Sequence, residues 1–349
     1  MEKVKVGIVG AGYMGGVHAA LLARDDRVTL AAVHDADSRR ARLLADSHGA
    51  LALPGADDVI AKSDAVYITT PNTKHTELAI AAVNAGKHVF CEKPMATSAA
   101  DALALLQAAT HSEAIFQVGH NRRFAPVYQM LKGMLVEGER PHSAHIKMNR
   151  GELMKPEWVA DPAITGGFLY ETTIHMFDLM RFLFGEVRRM DAIGTFHEYP
   201  EVDDFSVLVE FEDGMHATLA SSADAGWSLP FERIEVFRHH QTIATRGMEC
   251  LSYSEDLGSR TVRHSVDELA KEQQWGYQQE DKAFVDSIVD RRPVAVTALD
   301  GYKSVELVDA CYRAVRTNER IRFGDKSQST VAAAFLHKPT GGIEKGSAE

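Results

Sequence analysis

The chain has 349 residues, 45% hydrophobic and 25% charged, a composition that is ordinary for a globular protein and a length that favours two domains. A net charge of −11 argues against nucleic-acid and anionic-membrane partners, and no apolar run is long enough to span a bilayer. Three cysteines without CxxC spacing indicate a reducing compartment, and no signal-peptide pattern precedes the first predicted strand, so we expect a cytoplasmic protein.

Residues 1–122 alternate short β-branched runs with alanine-rich helical stretches. This alternation predicts an α/β domain with a doubly wound parallel sheet covered by helices. The predicted strands are Val4–Val9, Thr29–Val33, Ala65–Thr69, His88–Phe90 and Ile115–Val118. The predicted helices of this part are Leu78–Ala85 and Ser98–Ala109.

A glycine loop follows the first predicted strand directly. Gly10, Gly12 and Gly15 have the spacing Gly-x-Gly-x-x-Gly, with Tyr13 and Met14 before the last glycine. A strand that leads through such a turn into a helix typically holds a dinucleotide pyrophosphate, because free N–H groups at the helix start face the phosphates. We therefore expect these five residues to bind the cofactor.

An acidic residue ends the second predicted strand. Asp35 stands twenty residues after Gly15, where a carboxylate would accept hydrogen bonds from the adenosine ribose hydroxyls. The same carboxylate would repel the extra phosphate of NADP, which favours NAD. Arg39 and Arg40 could offset that repulsion or belong to a solvated helix face. NADP therefore stays open as an alternative.

The next strand ends in a proline turn formed by Thr70, Pro71 and Asn72, with His75 three residues further on. Carboxyl ends of strands in a doubly wound sheet face the ligand crevice, so we predict that these four residues lie beside the cofactor. The alternative is an ordinary strand-to-helix turn in which Asn72 is the N-cap.

The fourth predicted strand is followed by Glu92 and Lys93, which precede a proline. This is where the nicotinamide half of a cofactor is expected. A lysine there can relay a proton or polarise a hydroxyl, because burial and nearby charge can lower its pKa. The alternative is a surface turn with an exposed ion pair.

Residues 123–325 have a different sequence pattern, with longer segments in which apolar and polar residues alternate. These segments predict one large open, mostly antiparallel sheet. Helices are predicted at Val127–Val136, Tyr277–Asp290 and Gly301–Arg316. The predicted strands are Ser143–Met148, Arg189–Thr195, Phe205–Phe211, His216–Ser221 and Ile234–Phe237. The tail, residues 326–349, lacks periodicity and is expected to be disordered or an arm.

Three titratable residues of the second part share a helical spacing. Glu171, His175 and Asp178 stand at i, i+4 and i+7, which places them on one face of a helix. Burying such a face is costly unless the groups are paired or used, so we consider them candidates for the site. A hydrogen-bonded triple that fastens the helix is the structural alternative. A divalent-metal site also fits the spacing, but we predict none because hydride transfer does not need a metal.

Four further residues are candidates for substrate contact. Arg122 and Arg123 could hydrogen-bond substrate hydroxyls or a carboxylate, or fasten the two domains together. Arg150 and Trp158 belong to a polar stretch that is compatible with a carbohydrate pocket, in which an indole packs on sugar C–H faces. An ordinary charged surface loop is the alternative.

Taken in order over residues 3–320, these motifs resemble the glucose–fructose oxidoreductase/inositol dehydrogenase (Gfo/Idh/MocA) family. The segments that carry the resemblance are Gly10–Gly15, Thr70–Asn72 with His75, Ala85–Pro94, Gly119–Pro126 and Gly166–Asp178. The glycine loop is generic, whereas the Glu-Lys-Pro element in this setting is specific.

The resemblance implies a Rossmann domain, a C-terminal α/β domain with an open sheet, and NAD(P)-linked oxidation or reduction of sugars or polyols. It implies that Lys93 is the catalytic lysine, that Glu92 lies near the nicotinamide ribose, and that His175 accepts the substrate proton. The family usually has aspartate where this chain has Glu171. Members often pair through the open sheet, so we expect a homodimer or homotetramer.

The predicted function is therefore oxidation of a hydroxyl of a sugar, sugar derivative or cyclic polyol, with NAD as cofactor. In the mechanism that we expect for this oxidation, the substrate hydroxyl loses its proton to His175, and Lys93 and Glu171 stabilise the alkoxide that develops. An NADPH-dependent keto-sugar reductase is the alternative within the same enzyme class. A non-catalytic NAD-sensing regulator is the alternative outside it, and it is disfavoured because Lys93 and His175 are both present.

Overall fold

A computed structural model describes residues 3–150, 157–197, 201–226, 229–255, 257–258 and 260–324. The predicted tail, residues 326–349, lies outside this part of the chain. The described residues form two sheets and the helices that cover them, which confirms the predicted fold class.

The first sheet has six parallel strands in the order β3-β2-β1-β4-β5-β6. Its strands are β1 (Val4–Val9), β2 (Val28–His34), β3 (Leu51–Ala52), β4 (Ala65–Ile68), β5 (His88–Glu92) and β6 (Phe116–Gly119). Strands β1 and β4 are nearly continuous apolar runs because helices cover both faces of the sheet. The strand order reverses between β1 and β4, and the carboxyl ends of the strands at that reversal form the crevice where such sheets bind ligands.

Eleven α-helices lie within the described residues. Five belong to the first part of the chain: α1 (Tyr13–Leu22), α2 (Ser38–His48), α3 (Ala56–Lys62), α4 (His75–Asn84) and α5 (Ala99–Thr110). The other six are α6 (Pro126–Glu137), α7 (Pro162–Thr165), α8 (Ile174–Phe184), α9 (Lys271–Gln274), α10 (Tyr277–Val289) and α11 (Ala298–Thr317).

The second sheet has nine strands in the order β14-β13-β12-β11-β7-β10-β9-β8-β15. Its strands are β7 (Ser143–Met148), β8 (Val187–Thr195), β9 (Asp204–Phe211), β10 (His216–Ser222), β11 (Glu232–Arg238), β12 (Gln241–Arg246), β13 (Cys250–Ser254), β14 (Thr261–Ser265) and β15 (Ile321–Arg322). Strands β7 and β10 pair in parallel, and the remaining pairs are antiparallel. Buried and accessible side chains alternate along β9, so this strand has one face on the core and one open face.

Helix α10 returns from the second part of the chain to the first sheet. Phe284 and Val285 of this helix are buried in one core with Tyr67, Phe90 and residues of α1. The core beneath the glycine-loop helix therefore depends on residues more than 260 positions away in the chain. The division into residues 1–122 and 123–325 stays a prediction.

The predicted elements correspond closely to the observed ones where an apolar pattern is long. The predicted bounds of β1 and β7 are the observed ones. Helices α3, α7 and α9 and strands β3 and β12–β15 were not predicted, and α2 was considered only as a possible helix face at Arg39 and Arg40. Two of these strands have two residues each, and β14 is mostly exposed, so none carries a strong local pattern.

Candidate active site

The glycine loop joins β1 to α1, with Gly12 as the N-cap of the helix. Gly10 has a φ of +105° and packs against the backbone at Thr69, while a Cβ at Gly15 would clash with the carbonyl oxygen of Gly10. At Gly12, the described residues beyond the adjoining chain leave the place where a Cβ would stand open to 4 Å. Tight packing behind an open helix N-terminus fits a dinucleotide pyrophosphate.

Two predicted cofactor residues, Tyr13 and Met14, form the first turn of α1. The Tyr13 side chain is 82% exposed, and Met14 is half-buried. Their backbone N–H groups belong to the helix start, where the first amides lack intrahelical partners. We therefore expect Tyr13 and Met14 to contact the cofactor through their backbone N–H groups.

Asp35 lies at the end of β2 beside the glycine loop. Its Oδ2 accepts a hydrogen bond from the Ala11 N–H at 2.7 Å, and its Oδ1 accepts one from the Asp37 N–H at 2.8 Å. The Arg40 Nε is 3.6 Å from the same Oδ1, whereas Arg39 uses its own backbone N–H to cap α2 through Asp37. Asp35 is thus fixed next to the pyrophosphate cradle, as an adenosine-ribose ligand requires.

Lys93 follows β5 and reaches the helical segment of the second part of the chain. Its Nζ donates to the backbone carbonyl of Glu171 at 2.8 Å and lies 3.7 Å from Glu171 Oε1. Both side chains are mostly but not fully buried. Lys93 and Glu171, which we predicted to act together on the substrate oxygen, are therefore paired in the structure, with the backbone carbonyl as the closer acceptor.

The turn after β4 makes different contacts from those predicted. The Asn72 amide donates to Glu171 Oε2 at 2.8 Å and to the Thr165 carbonyl at 3.0 Å. The two ring nitrogens of His75 each lie 2.7 Å from a backbone carbonyl oxygen, of Thr70 and of Pro94. Asn72 thus holds Glu171, and His75 ties together the two loops that follow β4 and β5. The cofactor contact that we predicted for both residues stays a prediction.

Pro71 precedes a short 3₁₀ helix, Asn72–Lys74, that leads into α4. Its φ of −58° suits this position, because the proline ring holds φ near that value. The Thr70 hydroxyl is buried and has no hydrogen-bond partner among the described residues. Thr70 is therefore the predicted residue of this turn whose side-chain hydroxyl lacks a partner among the described residues.

Glu171 lies in a π-helical turn, Leu169–Thr173, that runs directly into α8. The predicted i, i+4, i+7 face assumes a regular α-helix, and the wider turn changes the rotation between Glu171 and His175. Such turns occur often at functional sites. Glu171 faces Asn72 and Lys93, whereas Asp178 faces Arg123, so the three residues do not form one hydrogen-bonded triple.

His175 is buried, with 7% of its surface exposed, and its Nδ1 has no hydrogen-bond partner among the described residues. Burial and the nearby charges of Arg122 and Lys93 hold the pKa of His175 well below its ordinary value. The imidazole is therefore neutral at neutral pH and can accept a proton.

A second histidine, which the sequence analysis did not single out as a site residue, lies next to His175. The His120 ring is 6.4 Å from the His175 ring between centroids, and both of its nitrogens are buried without hydrogen-bond partners in the described part of the chain. Burial lowers the pKa of His120 to about 4. Its position directly after β6, at the carboxyl edge of the sheet, is the signal that could have identified it.

Arg122 and Arg123 are occupied by carboxylates of the second part of the chain. Arg122 donates from Nε and Nη2 to Glu232 Oε2 at 2.9 and 2.7 Å. Arg123 donates to both oxygens of Asp178 at 2.8 and 2.7 Å, and to Asp300 at 3.1 Å. These contacts favour the predicted alternative in which both arginines fasten the domains, and they saturate Asp178, for which we had predicted substrate contact.

Arg150 is the second residue after β7, and its guanidinium lies over the ring of Phe231, 5.9 Å from the ring centroid. The negative charge of Glu171 raises the pKa of Arg150, although burial outweighs this effect and lowers it. Arg150 therefore belongs to the same neighbourhood as Glu171. Trp158 is half-buried in a 3₁₀ helix, Glu157–Ala160, that follows the undescribed residues 151–156, and its contact with substrate stays a prediction.

Neither a membrane-spanning helix nor a metal-binding cluster occurs among the described residues. No helix among them is both long and apolar enough to cross a membrane. No group of three or more histidine, cysteine, aspartate or glutamate side chains in this part of the chain is arranged to hold a metal ion.

Comparison with known proteins identifies both parts of the chain. Residues 4–120 match the family model described as an oxidoreductase family with an NAD-binding Rossmann fold, and residues 128–244 match the GFO/IDH/MocA C-terminal domain. An inositol 2-dehydrogenase of Rhizobium meliloti is 29% identical over 330 residues, which cover 91% of this chain and 98% of that protein. The uncharacterized oxidoreductase YrbE of Bacillus subtilis is 30% identical over 68% of this chain and 72% of its own length.

A solved structure shows the same arrangement with a cofactor bound. GenD2 from gentamicin A biosynthesis, crystallised in complex with NAD, superimposes with a TM-score of 0.78 at 26% identity, covering 93% of this chain and 97% of GenD2. The glycine loop and Asp35 of this chain have the geometry that such a cofactor requires. The chain therefore belongs to the Gfo/Idh/MocA family of oxidoreductases and carries its NAD-binding Rossmann domain.

Proposed function

We propose that this protein is a dehydrogenase that oxidises a secondary hydroxyl of a cyclic polyol or sugar with NAD. The observation that carries the proposal is the pairing of Lys93 with Glu171 across the two parts of the chain, near a neutral His175 whose Nδ1 has no hydrogen-bond partner among the described residues. The inositol 2-dehydrogenase relative supports a polyol or sugar as the substrate class.

Bound NAD would supply the hydride acceptor, held by the glycine loop and Asp35. His175 then accepts the hydroxyl proton on its neutral ring. Lys93 donates a hydrogen bond to the substrate oxygen and stabilises negative charge on it as the proton leaves. Asn72 holds the Glu171 carboxylate next to the lysine, so that the ammonium group is positioned before substrate binds.

NAD is the expected cofactor because the Asp35 carboxylate is fixed beside the glycine loop. The position of Arg40, 3.6 Å from that carboxylate, favours the alternative of an NADPH-dependent keto-sugar reductase, since a guanidinium can bind a 2′-phosphate. Comparing kcat/KM for NAD and NADP on one substrate separates the two candidates.

The direct test is a panel of inositols, aldoses, anhydrosugars and glycosides, screened for NAD(P)H formation by absorbance with both cofactors. We expect turnover of at least one cyclic polyol or sugar with NAD. Tight NAD binding without turnover of any member of the panel would instead support a non-catalytic NAD-sensing protein.

We further propose that the protein forms a homodimer or homotetramer through the open face of the second sheet. Ile193 on β8 and Leu208 on β9 are 73% and 47% exposed there, and apolar side chains of this size are usually covered. Light scattering of the wild-type protein and of Leu208→Asp tests this, because a charge in the interface should yield monomers. The three buried, unpaired cysteines support a cytoplasmic location.

A further inference from the structure

A buried polar relay runs from α10 through α1 to the backbone of Lys93. His18, in the second turn of α1, has no exposed surface. Its Nδ1 is 2.8 Å from Asp281 Oδ1, and its Nε2 is 3.1 Å from Glu92 Oε1. Since both ring nitrogens face carboxylate oxygens, the ring makes both hydrogen bonds as a donor only when it is an imidazolium.

The relay continues from Glu92 to the catalytic lysine. The second carboxylate oxygen of Glu92 accepts a hydrogen bond from the Lys93 N–H at 3.0 Å. The contacts therefore run from Asp281 on α10, through His18 on α1, to Glu92 on β5 and the Lys93 backbone. At the other end of its side chain, the Lys93 Nζ rests on the Glu171 carbonyl.

The charges around Glu92 make His18 important for keeping it ionised. The titratable groups that face Glu92 are Lys93, His18, His75, Tyr277, Glu280 and Asp281. Both carboxylate oxygens of Glu280 are buried without hydrogen-bond partners in the described part of the chain, and burial raises the pKa of Glu280 well above its ordinary value. The hydrogen bond and positive charge of His18 hold the pKa of Glu92 below its ordinary value despite burial.

We propose that His18 is a positioning residue for the reaction: it holds the Glu92 carboxylate on the Lys93 amide and so fixes the backbone from which the catalytic lysine reaches the substrate. This inference rests on the proposed dehydrogenase function. Helix α1 then has two roles: its N-terminus faces the pyrophosphate, and His18 in its second turn positions the lysine.

Two conservative variants separate the two hydrogen bonds of His18. The amide nitrogen of asparagine stands close to the position of Nδ1, so His18→Asn keeps the bond to Asp281 and loses the one to Glu92. The amide nitrogen of glutamine stands close to Nε2, so His18→Gln keeps the bond to Glu92. We expect His18→Asn to lower kcat about 10- to 100-fold, with the NAD dissociation constant little changed, and His18→Gln to retain most of kcat.

The pH profile gives a readout that a packing role would not move. Without its cation, the buried Glu92 of His18→Asn should become protonated at a higher pH, because burial then acts unopposed. The acid limb of kcat/KM should therefore shift to higher pH in His18→Asn, and by less in His18→Gln, which also lacks the cation but keeps the hydrogen bond to Glu92. Equal losses of kcat in both variants, or an unshifted acid limb in His18→Asn, would contradict the positioning role.

The charge of His18 can be measured without turnover. In protein labelled with ¹⁵N-histidine, we expect both ring nitrogens of His18 to remain protonated at about pH 8, where an ordinary histidine is neutral. The resonances are assigned by their loss in His18→Gln. A neutral His18 ring would overturn the relay, whereas failure of the wild-type protein to oxidise any member of the panel would overturn the proposed function instead.

Discussion

Two polar clusters at the junction of the two sheets differ in whether their hydrogen-bonding capacity is filled. The arginine clamp, which consists of Arg122 with Glu232 and Arg123 with Asp178, is fully buried and its guanidinium groups meet carboxylates at hydrogen-bond distance. Close by, the proposed catalytic site contains His175, whose Nδ1 is unpartnered among the described residues. Buried polar groups are almost always satisfied, so the filled cluster indicates a structural role and the unfilled one indicates a ligand site.

The largest expected effect tests the catalytic side of this comparison. Lys93→Ala should lower kcat by about 10²- to 10⁴-fold, because it removes the group that stabilises negative charge on the substrate oxygen. NAD affinity, measured by titration calorimetry, should stay close to that of the wild type. Lys62→Ala, at an exposed lysine of α3, is the matched control and should keep full activity. Retention of most of the rate by Lys93→Ala would show that another group does this chemistry.

The next effect tests the clamp. Arg123→Met should lower the free energy of unfolding by about 3–5 kcal/mol, because it leaves the Asp178 carboxylate buried without its cation. Arg123→Lys keeps the charge but loses the two-pronged hydrogen bond, so its loss should be smaller. Urea unfolding measures both variants. A loss below about 1 kcal/mol for Arg123→Met would instead suggest that the arginine is reserved for substrate.

The buried histidines predict a pH dependence of stability. His120 has a pKa of about 4 in the folded protein and an ordinary one in the unfolded chain, so between these values the unfolded state binds the extra proton. The free energy of unfolding should therefore fall as the pH drops from about 6.5, by up to about 1.4 kcal/mol per pH unit for this residue.

Replacing the histidine tests that assignment. His120→Phe should flatten the slope by the same amount when urea unfolding is measured between about pH 4.5 and 7.5. His197→Phe, at an exposed histidine, should leave the slope as it is in the wild type. An unchanged slope in His120→Phe would mean that the ring is hydrated or paired in solution.

The smallest effect concerns the cofactor. Asp35→Ala should raise the ratio of kcat/KM for NADP to that for NAD by about tenfold or more, because it removes the carboxylate that repels a 2′-phosphate and leaves Arg40 in place. Asp46→Ala removes an exposed carboxylate of the same helix region and should leave the ratio unchanged. A ratio that does not move in Asp35→Ala would place the adenosine ribose elsewhere.

Sequence reasoning predicted the site residues best where a local pattern carries the chemistry. The glycine loop, Asp35 and the Glu92–Lys93 pair all follow buried strands, and the parallel sheet brings the ends of those strands together. Sequence reasoning was less informative about which residues within the protein these side chains contact. Asn72, His75, Arg122 and Asp178 were predicted to contact cofactor or substrate, yet each has contacts within the protein that depend on residues far away in the chain.

Two histidines show what such reasoning missed. His18 is a polar residue in an otherwise apolar stretch of α1, and this contrast alone was a signal that it is paired or used. Its partners, Glu92 and Asp281, lie 74 and 263 positions away, so no local spacing could reveal them. His120 stands at a strand end inside a motif that we had quoted for its arginines.

By itself, the sequence determined the strongly patterned strands and helices, the pyrophosphate cradle and the family, because hydrophobic periodicity and the glycine spacing are local properties of the chain. The tertiary structure alone decided which polar groups are saturated. Whether a buried arginine or histidine holds the fold together or remains available to a ligand depends on which carboxylate faces it, and in this protein those carboxylates come from α8, α10 and β11.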